Sequence, residues 1–413
     1  MSTPDPLPPP PRRRLPRTVW ILSAVSFFAD VSGEMIYPLL PLFLVGVLGA
    51  TTTHLGAIEG SAVLVVALLS AYSGLASDRS RRRVPWVRAG YALPVLGKAT
   101  IALATVWPMV LAGRLLDRLG KGLRSSARDA LIADAVHADQ RGQAFGLHRA
   151  FDTAGAFVGV LLSASLLWIL TSAAEDGTPA WVFRAIIGVG AVLGLASALL
   201  TLLVRESPGT GAADAPRAAG AATPLPRSYW TVLAALALFS LANSSDTFLL
   251  LRAHELGYAP WTVVLAYALY NLVYAACSYP AGLVSDRLGR WGLIGVGWAI
   301  YAGVYAGFAL VTPERAWGVW PLMATYGVYM GLTDGVGKAL IADHAPPDRR
   351  GAAMGLFYAV TGVTTLGASL LAGLVWEKAG PGAAFAIGAG IAALALVALA
   401  CARGVVGSGG RAG

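Results

Sequence analysis

The stretch GRLLDRLGKGLRSSARDALIAD, from Gly113 to Asp134, sets Arg114, Asp117, Arg118, Lys121, Arg124, Arg128 and Asp129 into a chain of 413 residues that is 56% hydrophobic and 13% charged. At about 100° per residue these side chains fall within an arc of roughly 140°, and Leu115, Leu116, Leu119, Leu123, Ala127 and Ala130 take the other side. Such a face can pair with carboxylates, exchange protons with them or hold a charged solute. Other charges share the pattern. Asp30 and Glu34 are four apart, with Tyr37 one turn on; His148, Arg149 and Asp152 form a second group; Asp246, Asp334 and Lys338 lie further along, near Tyr267, Tyr270, Asn271, Tyr274, Tyr326 and Tyr329. At a bilayer centre each such charge costs about 2.5 to 3.5 kcal/mol, so several on one helix must pair or line a wet cavity. We therefore expect Asp30, Glu34 and Asp152 to pair with some of the basic residues of Gly113–Asp134, and protonation of an acid to release a pair. Fixed pairs that only orient helices are the competing expectation. The tyrosines, apolar rings with polar tips, suit an organic ligand and suit helix packing equally.

Other chemistries lack their residues. The GKG at Gly120–Gly122 has no Gly five residues before it and no Ser or Thr after Lys121, so it is not a phosphate loop. GVGAVLG from Gly188 is off the dinucleotide spacing and lies in an apolar run. The five histidines show no metal spacing, Cys277 and Cys401 sit apart in apolar runs as packing residues, and no G-x-S-x-G occurs. We expect no catalytic residue, no metal, no cofactor and no enzyme.

The elements that position these residues are apolar runs of spanning length. They predict an all-α polytopic membrane protein with twelve helices, near 18–48, 55–77, 84–104, 106–133, 143–172, 181–204, 229–252, 260–284, 291–311, 317–343, 352–376 and 381–403. The Ala-, Gly- and Pro-rich SPGTGAADAPRAAGAATPLPR reads as a linker. The division is then 1–17 a disordered cytoplasmic tail, 18–204 a six-helix bundle, 205–228 a cytoplasmic linker, 229–403 a second six-helix bundle and 404–413 a cytoplasmic tail. The halves repeat: SGLASDRSRRR from Ser73 returns as AGLVSDRLGRW from Ala281, and LIADAVHADQRGQAFGL from Leu131 as LIADHAPPDRRGAAMGL from Leu340. Six passes is an even number, so the repeat is parallel, about an axis along the membrane normal.

The net charge of +9 does not spread as on a nucleic-acid binder. Arg12, Arg13, Arg14, Arg17, Arg79, Arg81, Arg82, Arg83, Arg141, Arg205, Arg217, Arg227, Arg287, Arg290, Arg349, Arg350 and Arg403 crowd every other connection. The alternate connections hold His54, Glu175, Asp176, His254, Glu255, Glu314 with Arg315, and Glu377 with Lys378. This asymmetry puts both termini in the cytoplasm of a cell-membrane protein. The Pro- and Arg-rich start lacks a small-residue cleavage site after it and reads as a tail before a retained helix.

On these motifs the chain resembles the major facilitator superfamily over nearly its whole length. Gly74, Asp78, Arg79, Arg82 and Arg83 match its loop motif G-x-x-x-D-R-x-G-R-R, with Arg81 in the second Gly position; Gly282, Asp286, Arg287, Gly289 and Arg290 form the second copy with that Gly restored. An Asp at a helix end can accept from Arg and from a neighbouring helix N-terminus, a cytoplasmic latch. Arg114 and Gly120 match part of R-x-x-Q-G-x-G, with Asp117 and Arg118 in its Gln and first Gly places; Gly155 and Gly159 match G-P-x-x-G without its Pro. The first helix, DVSGEMIYPLLPLFL from Asp30, is similar to that of uncharacterised prokaryotic permeases of the superfamily. The resemblance implies two bundles about a central cavity, secondary active transport by alternating access, and a proton-coupling role for Arg114. We expect proton-coupled movement of a small organic solute, efflux before uptake, anionic or zwitterionic because cations exceed acids on the fourth helix, by a monomer. The alternatives are gradient-driven uptake of an organic anion and a non-transporting receptor or scaffold.

Overall fold

The computed structural model describes residues 15–80, 82–136, 141–171, 178–206, 224–346 and 350–409. Residues 1–14 of the first expected tail, 410–413 of the second and the middle of the linker lie outside them, whereas 404–409, expected as tail, continue the last helix; the side-chain surroundings of Gly74, Asp78, Arg79, Gly282, Asp286 and Arg287 also lie outside the description. The described residues form helices and their connections, without strands. In the first half these are α1 (Arg17–Ile36), α2 (Thr52–Ser80), α3 (Val84–Ala102), α4 (Trp107–Ala135), α5 (Arg141–Thr171) and α6 (Ala180–Leu200). The second half holds α7 (Arg227–Ala242), α8 (Thr247–Glu255), α9 (Pro260–Leu288), α10 (Arg290–Leu310), α11 (Val319–Asp343) and α12 (Arg350–Gly409).

Three local departures matter for the site. The first pass does not end at Ile36: it runs on through a 3₁₀ turn at Tyr37–Leu39 and a wider π turn at Leu42–Val47. Pro38 and Pro41 cannot donate to the residues four before them, so the ladder is re-registered. The seventh pass, expected as one helix over 229–252, is instead broken between α7 and α8 at Asn243–Asp246. The eleventh and twelfth passes are both inside α12, which turns at Gly380 (φ 85°) just before Pro381. A positive φ is cheap only for Gly, and Pro cannot continue the preceding ladder.

Eight of the described helical segments are long and apolar enough to span a membrane by composition, the 52-residue Ala353–Gly404 holding two passes. The passes that fall short are α3, α4 and α11, which carry Lys98, the Arg114–Asp129 series, and Asp334 with Lys338. Their charged faces turn to protein and to the cavity, which removes the need for an apolar perimeter.

Within the first half α1 packs on α5 and α6, and α4 on α2 and α3; within the second, α9 packs on α11, α10 on α11 and α12, and α7 on α12. The α3–α4 contact is backbone to backbone: a Cβ on Gly97 would sit 2.4 Å from the Gly113 carbonyl oxygen. The halves meet along α2 with α12 and α5 with α9. Helix ends bearing Arg17, Arg83, Arg141, Arg227, Arg290 and Arg350 define a basic face, and Thr52, Trp107, Ala180, Pro260, Val319 and Gly380 mark the opposite face. At the opposite face the α2–α12 seam is shut. Thr52 Oγ1 donates to the Gly373 carbonyl at 2.9 Å, Thr53 Oγ1 donates to Glu377 Oε2 at 2.7 Å, and a Cβ on Gly56 would fall 2.1 Å from the Ser369 carbonyl oxygen. Further along the seam Gly362 comes onto Leu64 and Ala67. Beyond it, towards the basic face, Leu68, Tyr72 and Tyr358 are 51%, 59% and 37% exposed. The seam is thus sealed at one end, and side chains along it are exposed towards the other.

Candidate functional site

Between the bundles, part of the charge expected from sequence comes together, Arg114, Asp117 and Arg118, with two residues that sequence reading missed. Arg114 is buried on α4 and donates through Nε and Nη2 to the two carboxylate oxygens of Glu59 on α2, each at 2.8 Å. Two parallel N–H···O bonds are the strongest geometry a guanidinium makes. Its guanidinium carbon also stands 5.3 Å from the centre of the Tyr37 ring. Asp117 faces three cations at ion-pair distance, Arg118 at 3.5 Å, Arg114 at 3.8 Å and Lys98 of α3 at 3.9 Å. Lys98 is itself buried and donates to Ser32 Oγ at 2.6 Å, while Ser32 donates to the Gly190 carbonyl at 2.5 Å. That chain ties α1, α3, α4 and α6 into one block. Glu59 and Lys98 each interrupt an otherwise apolar run, IEGSAVLVVALL and VLGKATIAL, and a lone ionisable residue inside a span is the signal that marks them.

The expected pairing therefore needs correction. Among the described residues, the ion pairs of the α4 cations run to Glu59, Asp117 and Asp129, not to Asp30, Glu34 or Asp152. A carboxylate on α2, directly beside α4, reaches Arg114 where α1 does not; α2 and α4 are close neighbours and α1 and α4 touch only lightly. Arg128 binds Asp129 at 2.9 Å and Ser26 Oγ at 3.3 Å, and Arg124 donates to the Gly90 carbonyl and stands 4.4 Å over the Tyr91 ring. Asp152 meets His148, four residues earlier on α5, at 3.5 Å, and Arg149 is exposed. Lys121 is exposed, with Asp30 and Glu34 the carboxylates that act on it.

The second half contributes hydroxyls and acids. Tyr267 donates to Glu34 Oε2 at 2.9 Å, a hydrogen bond from α9 to α1 that crosses between the halves, and its ring lies 5.5 Å from that of Tyr37. Asp246, in the break of the seventh pass, accepts from Tyr326 at 2.7 Å and Tyr270 at 3.3 Å. Tyr274 donates to Asp334 at 3.1 Å, and Lys338 pairs with Asp334 at 2.7 Å, as the four-residue spacing predicts. Asn271 turns its amide back onto the Tyr267 carbonyl. Tyr329 packs inside the second bundle against Phe239, Tyr301 and Tyr326; Tyr326 is equally buried and reaches the acids through its hydroxyl on Asp246. Of the latch motif, Arg83 pairs with Asp134 at 3.1 Å and Arg290 with Asp343 at 3.0 Å, equivalent contacts in the two halves. Arg82 and Gly289 are exposed at the same face.

The sequence model of the Major Facilitator Superfamily matches residues 22–337. The chain belongs to that superfamily. An MFS-type transporter of Methanocaldococcus jannaschii is 34% identical over 371 residues, covering 88% of this chain and 90% of its own length. The multidrug resistance protein MdtH of Cronobacter sakazakii is 31% identical over 159 residues, 38% of this chain and 36% of that protein. Among solved structures, the nucleoside transporter NupG superposes with a TM-score of 0.76 at 13% identity, covering 94% of this chain and all of the other. That likeness shows the fold: twelve membrane helices in two six-helix bundles. As a member of this transporter superfamily the chain is an integral membrane protein and not an enzyme.

Proposed function

We propose that this superfamily member is a proton-coupled secondary transporter that moves a small organic solute across the cell membrane by alternating access, outwards in preference to inwards. The observation that carries this reading is the convergence of Glu34, Asp246, Arg114 and Lys121 on one cleft from both halves, beneath a shut seam at the opposite face and an open one at the basic face. Acids and bases that meet across two rigid blocks change partners when the blocks rock, and a carboxylate that loses its partner takes a proton. Asp30 and Glu34 are the acids we assign to coupling, with Asp117, Arg118, Lys121, Arg149 and Asp152 as the surrounding charges. Tyr37, Asp246, Tyr267, Tyr270, Asn271, Tyr274, Tyr326, Asp334 and Lys338 are assigned to the solute.

Positive-inside asymmetry makes the basic face cytoplasmic, so the described state opens inwards. The blocks are residues 18–204 and 229–403, joined by the linker 205–228, in a monomer. The preference for efflux draws on the stretch shared with a multidrug resistance protein. Each elementary charge moved down the membrane potential supplies about 2.3 kcal/mol per 100 mV, enough for concentrative transport. The cation excess on α4 that suggested an anionic solute is offset by Glu59, so a zwitterion fits the balance of the cleft better than a simple anion.

Proteoliposomes filled with a pH-reporting dye and placed under an imposed pH gradient test this. Some member of a panel of small organic cations, anions and zwitterions should collapse the gradient through the wild-type protein, and far less through Asp30→Asn, Glu34→Gln and Arg114→Ala. Equal proton movement in all three variants, or none with any solute, sinks the coupling.

A further inference from the structure

Most carboxylates in the described part of the membrane interior have a side-chain base close by: Glu59, Asp117, Asp129 and Asp334 are paired with the cations Arg114, Arg118, Arg128 and Lys338, and Asp152 faces the His148 imidazole, which is a cation only when protonated. Among the described residues Asp30, Glu34 and Asp246 are not. Asp30 at least lies in the field of Lys121 and Arg124, and Glu34 in that of Lys121. Asp246 is different. The groups that bear on it most strongly are the hydroxyls of Tyr326 and Tyr270 and two more carboxylates, Glu59 and Glu34. The base in that group, Arg114, is already committed to both oxygens of Glu59, so a carboxylate enclosed this way is costly unless it takes a proton or a positive partner arrives from outside the chain.

The walls say what kind of partner fits. The rings of Tyr37, Tyr267, Tyr270 and Tyr326 follow one another at centroid distances of 5.5, 5.5 and 5.4 Å, a continuous aromatic cluster from α1 across α9 to α11 in which Tyr37 is half-buried and the other three are buried. Three of these four hydroxyls donate to Glu34 or Asp246. A phenol that donates to a carboxylate pushes electron density back into its ring, which strengthens the negative face that attracts cations. A metal ion would need several oxygens converging within about 2.6 Å. No His, Cys, Asp and Glu group among the described residues has that arrangement. An organic ammonium, large, apolar at its rim and diffuse in charge, matches both the acids and the ring faces.

We infer that the Glu34–Asp246 end of the cleft is the seat of a substituted ammonium group, so that the solute is an organic cation or a zwitterion whose anionic end faces Lys121. This rests on the transport reading only in placing the solute in the same cleft; the binding itself needs no flux.

The test is equilibrium binding to the purified full chain in detergent, with benzyltrimethylammonium as probe and benzoate as its anionic counterpart of similar ring size. The cation should bind saturably and raise the melting temperature, and benzoate should not. Asp246→Asn and Glu34→Gln should each weaken the cation at least about tenfold, a change of roughly 1.4 kcal/mol, and Tyr267→Leu should weaken it without any change of charge. Benzoate binding in place of the cation overturns the inference, as does an absence of cation binding in the wild type or an affinity unchanged in both acid variants. If one acid variant fails to fold, the other and the wild-type contrast between the two probes still decide. Cation binding without gradient-coupled flux would remove the transport reading and leave this one standing; coupled flux of other solutes with no cation binding would do the reverse.

Discussion

Arg114 and Glu59 show how much of a buried pair is visible in the residue types alone. Both are at least 95% buried and joined by two short hydrogen bonds, so removing one partner strands the other as an uncompensated charge. Glu59→Gln should lower stability by about 3 to 5 kcal/mol, read as a large fall in melting temperature in detergent. Replacing both by apolar residues, Glu59→Leu with Arg114→Leu, should restore most of that loss and still abolish coupled flux. A double variant as unstable as the single would mean that Tyr37 and Asp117, not Glu59, hold the guanidinium. Arg114 was legible because it stands among six other charges on one helical face. Glu59 was not: a single acid in an apolar run has no periodicity of its own, and the base it serves is 55 positions away on another helix. Lys98 escaped for the same reason, and Tyr329 misled because a tyrosine of the interior and one of the cavity look alike in sequence.

Elements were easier to place than their interruptions. The Gly380–Pro381 pair announces the turn inside α12, and apolar length gives the passes around it. The break between α7 and α8 lies in SLANSSDTFLLL, where the flanking leucines and alanines suggest one continuous run; the four turn-forming residues Asn243–Asp246 were its only local sign. Tertiary contacts explain why they prevail. Ser245 N–H donates to Ser369 Oγ of α12, and Tyr301 takes the Ala242 carbonyl, so the freed backbone groups find partners. The α2–α12 seam is equally specific. A side chain at Gly56 would meet backbone at 2.1 Å, which no rotamer change relieves, whereas nothing lies within 4 Å of a Cβ on Gly303. Gly56→Val should therefore cut gradient-coupled flux at least about tenfold by keeping the seam from closing, while Gly303→Ala, at a small gain in helix propensity, should transport like wild type. Equal flux from the two variants would show that the seam need not close.

At the scale of the molecule, the internal repeat and the even number of passes made the two parallel bundles legible, because each half carries the same loop and the same LIAD helix end. Which end of the cleft is shut was not legible, since both states are built from one sequence and differ by a rigid-body rotation. The seam is closed between Thr52 and Gly373 and Tyr358 is exposed, and the state we infer from this, open at the basic face, has a direct readout. With Cys277 and Cys401 replaced by Ala, Tyr358→Cys should react with a membrane-impermeant maleimide in inside-out vesicles and not in right-side-out ones, which also fixes the basic face as cytoplasmic. Thr53→Cys, half-sealed against Glu377, should react slowly from the other side. Adding Gly56→Val should speed labelling at Thr53→Cys and slow it at Tyr358→Cys, because opening one end of two rigid blocks closes the other. A shift of about 1.4 kcal/mol between the states would change each rate about tenfold. If both positions instead speed up together, the blocks do not rock about a shared centre and the passage is a pore rather than an alternating carrier.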